Sequence, residues 1–218
     1  MKGAIFDLDG TLIDSMQNWG QTWVTMLSEA GISCPAHFVQ NITPLGTFGA
    51  AKYLQSLGLD RDIDDIVSDF ENRLILEYTY EITLKPFVKE YLKYLRSFNI
   101  KLCVLTASPH KLVIPCLANN DILDFFDFTC SCADLGMTKT DPRIYHVTSD
   151  RLGVSISDAV FYDDNFQALE AAHRSGITTV GVFDSTSAAQ QESVKAVVDR
   201  YIVSFEEELY ELGGCCHD

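Results

Sequence analysis

Lys2-Gly3-Ala4-Ile5-Phe6-Asp7-Leu8-Asp9-Gly10-Thr11 begins apolar and ends abruptly in two carboxylates separated by one residue. In extended chain, residues i and i+2 point to the same side. Asp7 and Asp9 therefore crowd two negative charges at the tip of a buried strand. That costs free energy unless a cation neutralises the pair or one acid keeps its proton. Gly10 then lets the backbone turn sharply, leaving main-chain N–H groups free to face an anion. A bland reading, in which the two acids merely end a strand and cap a turn, loses because three other segments supply the partners such a pair needs.

Outward from this run, short apolar stretches rich in β-branched residues recur at 101–106, 159–162 and 178–182, with a weaker one at 126–130. Between them lie helical patterns at 88–97, 111–119, 143–152 and 166–174. The alternation predicts right-handed βαβ units: an α/β, Rossmann-like parallel sheet with helices on both faces. Ligands of such sheets bind beyond the carboxyl ends of the strands, near the topological switch point. Residues 15–84 break the alternation and read as helices only, with stretches expected at 46–57 and 61–80. Asp14 or Ser15 has the residue type of a cap for the first helix. Trp19, Trp23, Met26, Leu27 and Ala30 then form one apolar stripe, which Gly31 ends. The expected organisation is an α/β core of residues 1–14 and 85–218 with an inserted all-helical cap domain at 15–84. Hinges are expected near Asp14–Ser15 and Leu84–Pro86, on which the whole insert should rock; Pro86 stiffens the return, so most bending should fall on residues 12–15.

The chain has 218 residues, 47% of them hydrophobic and 22% charged, the balance of an ordinary globular protein. Its formal net charge of −15 argues against nucleic acid and anionic membranes as partners. No run approaches the roughly 18 apolar residues of a membrane helix. Asp7 interrupts the N-terminus before a secretory core can form, so a cytoplasmic setting is expected. The seven cysteines are odd in number and irregularly spaced, as befits reduced thiols. Cys103 reads as a small core residue. Cys130-Ser131-Cys132 and Cys215-Cys216-His217 lack a second ligand pair at zinc spacing, and the latter reads as a frayed terminus. Oligomeric state is not legible; a monomer is the default.

Three more segments carry chemistry. Leu102-Cys103-Val104-Leu105-Thr106-Ala107-Ser108-Pro109 is a buried strand ending in hydroxyls, with Ser108 and Pro109 as candidate N-cap and N1 of a helix. A helix N-terminus with adjacent hydroxyls suits phosphate. Lys139 precedes Thr140-Asp141-Pro142-Arg143, where Asp141 and Pro142 again have cap and N1 types. If the fold brings it near Asp7, its ammonium can hold a phosphoryl oxygen and that carboxylate together. Val160-Phe161-Tyr162-Asp163-Asp164-Asn165 is another strand ending in adjacent acids, with Asn165 able to cap the next helix. Hard carboxylate oxygens without a histidine or thiolate nearby argue for Mg²⁺.

Together the four segments resemble the haloacid dehalogenase superfamily, specifically its phosphatases and phosphomutases with a helical cap inserted after the first strand. The resemblance spans nearly the whole chain and rests on Asp7-Leu8-Asp9-Gly10-Thr11, Thr106, Lys139 and Asp163-Asp164, in the family's order and spacing. Asp163-Asp164-Asn165-Phe166 replaces the commoner acid-Asp-Ser form, and Lys139-Thr140-Asp141-Pro142 replaces Lys-Pro-Asp-Pro. Neither change removes a charge or a ligand.

The resemblance implies that Asp7 attacks phosphorus and becomes an aspartyl phosphate, while Asp9 protonates the leaving alkoxide and later deprotonates water. It implies Mg²⁺ bound by Asp7, the Asp9 main-chain carbonyl and Asp164, with Asp163 bound directly or one water away. Thr106, Ala107, Lys139 and main-chain N–H groups at Leu8 and Gly10 would bind the phosphoryl oxygens. The second acid, Asp9, favours phosphate-ester chemistry over dehalogenation. Sugar-phosphate mutases such as β-phosphoglucomutase are the rival within the family. Trp19 stands where that mutase has a histidine, and Gly49 where it has a phosphate-binding arginine, so hydrolysis is the expected outcome. A non-catalytic binding protein is the rival outside it, disfavoured because every catalytic residue type is present. In capped members the cap selects the substrate. Asp14, Trp19, Thr47, Phe48 and Ser108 are the residues expected to do so here, for a small phosphorylated metabolite lacking a second strong anion.

Overall fold

The opening run forms β1 (Gly3–Phe6), buried along its length, in a computed structural model that describes residues 1–211. The other strands are β2 (Lys101–Thr106), β3 (Phe128–Ser131), β4 (Ala159–Asp163), β5 (Thr178–Val182) and β6 (Arg200–Ile202). All pair in parallel, in the order β3-β2-β1-β4-β5-β6. β1 is therefore central, and the strand order reverses beside it, the place where such sheets open a crevice. The expected strands are present, β3 shifted two residues toward its C-terminus at its start. β6 was not legible, because Arg200-Tyr201-Ile202 is too short to show a pattern.

Register sets the height of each acid. Phe6 lies opposite Val104 on one side and Tyr162 on the other. The Asp7 N–H donates to the Tyr162 carbonyl at 2.9 Å. Asp7 thus leaves the sheet level with Asp163, and Thr106 ends β2 on its other flank. Alternation splits the sheet's side chains between two layers. Phe6, Val104 and Tyr162 join the larger apolar cluster, and Ile5, Cys103, Leu105 and Phe161 join the smaller one.

Helices α1 (Met16–Glu29), α2 (Phe38–Ile42), α3 (Gly46–Ser56) and α4 (Ile63–Tyr80) form the segment between β1 and the return to the core. The core helices are α5 (Val88–Ser97), α6 (His110–Asn119), α7 (Cys132–Leu135), α8 (Arg143–Leu152), α9 (Phe166–Ser175), α10 (Gln191–Lys195) and α11 (Phe205–Glu211). No helix among the described residues is long and apolar enough to cross a membrane. The Trp stripe of α1 packs as expected: Trp23 stacks on Phe70 of α4 with ring centroids 3.9 Å apart, and Trp19 meets both rings edge-on. Truncating Trp23 to Ala would cost about 3–5 kcal/mol by the usual scale for buried aromatics.

The two linkers run side by side. Ile13 bridges Leu84, Asp14 N–H donates to Thr83 O at 3.0 Å, and Lys85 N–H donates to Leu12 O at 3.0 Å. α4 also packs along α6, in an apolar cluster that includes Phe70, Leu74, Leu112, Val113 and Cys116. Lys111 on α6 pairs with Glu71 at 2.9 Å, and Asn120 donates to the Ile82 carbonyl at 3.0 Å. The tail Cys215-Cys216-His217 lies outside the described residues.

Candidate active site

The carboxyl ends of β1, β2 and β4 meet the insert around a cavity of about 360 Å³. Its core wall carries Asp7, Asp9, Thr106, Ala107, Ser108, Lys139 and Asp164, and its cap wall Met16, Trp19, Thr43, Leu45, Gly46 and Thr47. Residues separated by up to 157 positions thus share one wall because parallel strands deliver their C-termini to one edge.

Lys139 Nζ lies 2.7 Å from Asp7 Oδ1 and 2.7 Å from Asp163 Oδ2. Burial by itself would favour its neutral amine, but Asp163 and Asp7 outweigh that and hold its pKa well above the ordinary value. Burial pushes Asp7 up to about 8; Lys139 opposes this, while Asp163 and Asp9 add to it. Asp164 is raised as well, first by burial, then by Asp163, Asp7 and Asp184. One ammonium thus serves two of three buried acids. Carboxylate oxygens of Asp7, Asp163 and Asp164 lie within 4.8 Å of one another. Surplus negative charge among oxygen donors alone fits a hard divalent cation such as Mg²⁺.

Asp9 points into a different setting. Ser15 Oγ donates to its Oδ1 at 2.7 Å, Tyr78 OH donates to the same oxygen, and Ser108 Oγ donates to Oδ2 at 2.7 Å. Three neutral hydroxyls therefore hold the second acid, while an ammonium holds the first. Two carboxylates of one tripeptide acquire different surroundings, the condition under which such a pair divides its chemistry.

Several expectations change at this level. The Gly10 N–H donates to the Ile13 carbonyl at 3.1 Å, so it is not free for an anion. Gly10 is needed instead for its φ of +75° and its closeness to Asp164, whose Cγ would lie 2.8 Å from an added Cβ. The Leu8 side chain is fully buried and its carbonyl accepts from Leu12 and Ile13. Ser15 holds the N-cap position of α1 but makes no cap bond; its hydroxyl goes to Asp9. α6 starts at His110 with Pro109 at its N-cap position, which frees Ser108 for Asp9. Pro142, not Asp141, precedes α8, and Asp141 accepts from the Arg143 N–H at 3.0 Å. Asn165 does cap α9, accepting from Gln167 and Ala168 N–H at 3.0 and 3.2 Å.

Of the expected specificity residues, Trp19, Thr47 and Ser108 line the cavity. Asp14 is exposed and lines a separate cleft with Lys85 and Asp184. Phe48 is 53% exposed, outside the lining, with Lys52 Nζ 4.7 Å from its ring centroid. Two residues near the acids went unforeseen. Tyr78 reaches Asp9 across 69 positions, a contact no local pattern announces. Lys85 donates to the Gly10 carbonyl, to Phe183 O at 2.6 Å and to Asp184 Oδ2 at 3.0 Å, and its charge pulls the Asp164 carboxyl downward. Its place beside Pro86, where the chain returns from the insert, was the available signal.

A family model described as haloacid dehalogenase-like hydrolase matches residues 4–182. A phosphoglycolate phosphatase of Pseudomonas savastanoi pv. phaseolicola is 27% identical over 187 residues, covering 83% of this chain and 69% of that protein. A phosphorylated carbohydrates phosphatase of Thermotoga maritima is 25% identical over 185 residues, covering 83% and 84%. In fold, the chain is similar to CbbY of Rhodobacter sphaeroides crystallised with phosphate, with a TM-score of 0.82 at 20% identity over 95% of this chain and 96% of that one.

Proposed function

Because the chain belongs to the haloacid dehalogenase-like hydrolases, we propose that it is a Mg²⁺-dependent phosphatase of small phosphomonoesters, working through an aspartyl phosphate on Asp7. The observation that carries this reading is the placement of two differently held acids, Asp7 and Asp9, on one wall of one cavity. Residues 15–84 act as the cap over that wall.

Asp7 attacks phosphorus in line; the new Oδ–P bond forms as the bond to the leaving oxygen breaks. Asp9 gives its proton to that oxygen, which leaves as a neutral alcohol. Water then attacks the aspartyl phosphate, Asp9 takes a proton from it, and Asp7 is released with inorganic phosphate. Lys139 and Thr106, with the Ala107 N–H, hold the non-bridging oxygens, and the ammonium opposes the burial that favours the protonated form of Asp7. Asp7, Asp164 and the Asp9 main-chain carbonyl would hold Mg²⁺, with Asp163 bound directly or through water. The ion, when bound, screens the repulsion between the Asp7 carboxylate and the phosphate dianion.

The test is phosphate release from p-nitrophenyl phosphate and a set of alkyl phosphates, with Mg²⁺ or chelator, against an Asp7→Asn control. Mg²⁺-dependent release that the control lacks, with acid-stable phosphate trapped on Asp7, is the expected result. Release that survives in Asp7→Asn would sink the reading. Conversion of glucose 1-phosphate to glucose 6-phosphate without free phosphate would favour the mutase instead.

A further inference from the structure

We infer that Tyr78, a residue of the helical insert, is a positioning residue for Asp9, tying the orientation of that carboxyl to the docking of α4 on the core. The inference rests on the reading of Asp9 as the proton-transfer group.

Tyr78 sits in the last turn of α4 and is fully buried. It does not line the cavity, so it acts through Asp9 and not on the substrate. Its hydroxyl and that of Ser15 converge on one Asp9 oxygen, while Ser108 takes the other. The three donors come from three parts of the chain: the outgoing linker, the insert and the loop after β2. A carboxyl on a two-bond stem turns freely unless its oxygens are engaged, and here the donors fix its plane. Two of the donors are short side chains next to the catalytic loops. Tyr78 is the donor that ties Asp9 to the far end of the insert, because its ring spans the distance from the α4 backbone to Asp9.

The position of α4 is itself well determined. Its packing on α6, the Lys111–Glu71 pair at 2.9 Å and the Asn120 bond to Ile82 hold that end of the insert against the core. A phenol carried on a clamped helix is a rigid donor, and rigid support of this kind is what a proton-transfer group needs to meet a leaving oxygen in line. The buried Tyr91, Tyr162 and Glu208 set, by contrast, fastens α11 to β4 and α5 and does not line the cavity.

The ring of Tyr78 also contributes to the apolar cluster, so packing alone is the competing account. Tyr78→Phe separates the two, since it keeps the ring and removes only the hydroxyl. The full-length protein with Mg²⁺ should lose about 10- to 100-fold in kcat on an alkyl phosphate, the size of one hydrogen bond to a charged group. KM should change by less than about threefold, as expected for a group that does not touch substrate. The loss should be smaller on p-nitrophenyl phosphate, whose leaving group departs without a proton. In an Asp9→Asn background the same substitution should have almost no further effect, because its target is gone. 4-Aminophenylalanine at position 78, which keeps a donor at the ring's tip, should restore most of the rate and covers the case in which the Phe variant fails to fold. An undiminished effect in the Asp9→Asn background would overturn the inference, as would equal losses on both esters or no loss at all. Failure of the phosphatase reading is recognised separately, by the wild type showing no Mg²⁺-dependent release from either ester.

Discussion

Asp7 and Asp9 differ less in chemistry than in company. Lys139 sits 2.7 Å from Asp7, and the hydroxyls of Ser15, Tyr78 and Ser108 donate to Asp9. Asp9→Asn keeps the main-chain carbonyl and the shape of the turn but removes the proton carrier. It should lower kcat on alkyl phosphates by roughly 10²–10⁴-fold, the usual range for general acid–base catalysis. On p-nitrophenyl phosphate the first step should suffer less, while hydrolysis of the intermediate still lacks its base. Phosphoenzyme should therefore accumulate and be visible by mass spectrometry after acid quenching. Equal rate losses on both esters with no trapped intermediate would count against this division of roles.

At the scale of elements, the apolar contact between α4 and α6 limits how the insert can move. The linker expectation placed a whole-body rock at residues 12–15, but these residues are hydrogen-bonded to 83–85, and α4 is clamped to the core. Opening along the full insert would expose buried surface at Leu74, Leu112 and Cys116, at about 25 cal/mol per Å². Motion that admits substrate should therefore concentrate in α2, α3 and the turn between them, which carry Thr43 and Thr47. Paired probes on Glu71 and Arg143 should keep one separation when Mg²⁺ and tetrafluoroaluminate are added. A pair on Gln55 and Arg143 should shorten. Equal shortening of both pairs would restore the whole-body rock.

For the whole molecule, burying three acids around one ammonium makes the metal-free state pH-sensitive. The Asp7 pKa is raised from 3.8 to about 8, so between those values the folded state holds a proton that the unfolded chain releases. Stability of the metal-free protein should accordingly fall as pH rises through that window. Mg²⁺ should oppose the fall, by about 2.7 kcal/mol at a hundredfold excess over its Kd. Asp164→Asn should raise Tm in chelator and abolish the rise with Mg²⁺, measured by calorimetry. A lower Tm in chelator would show that charge crowding is not what limits the fold. A second consequence concerns substrate. Lys139 is the single cation lining the cavity among the described residues, and Arg61 and Arg73 in the insert are paired with Asp69 and Glu29. Together with the net charge of −15, this should favour 2-hydroxyethyl phosphate over 2-phosphoglycolate by about tenfold in kcat/KM, since a like charge without a partner is costly. A preference for the carboxylate would show that the N-terminal turn of α3 recruits it.

The central strand, the two acids at its tip, the later strand ends at Thr106 and Asp163, the Lys139 loop and the helical insert were all legible in the chain. Each is a local pattern: an apolar run stopped by polar residues, or a stripe at helical spacing. The caps of the helices that start at His110 and Arg143 were read one residue early, because residue type suggests a cap but cannot say whether the side chain has a better partner elsewhere. Ser15 and Ser108 are such cases: each has cap chemistry, and each spends its hydroxyl on Asp9. The availability of the Gly10 N–H, the clamp of α4 on α6, and the reach of Tyr78 and Lys85 into the catalytic turn were decided only by the tertiary structure. They join residues tens of positions apart, and a hydrogen bond across such a separation leaves no periodicity in the sequence that makes it.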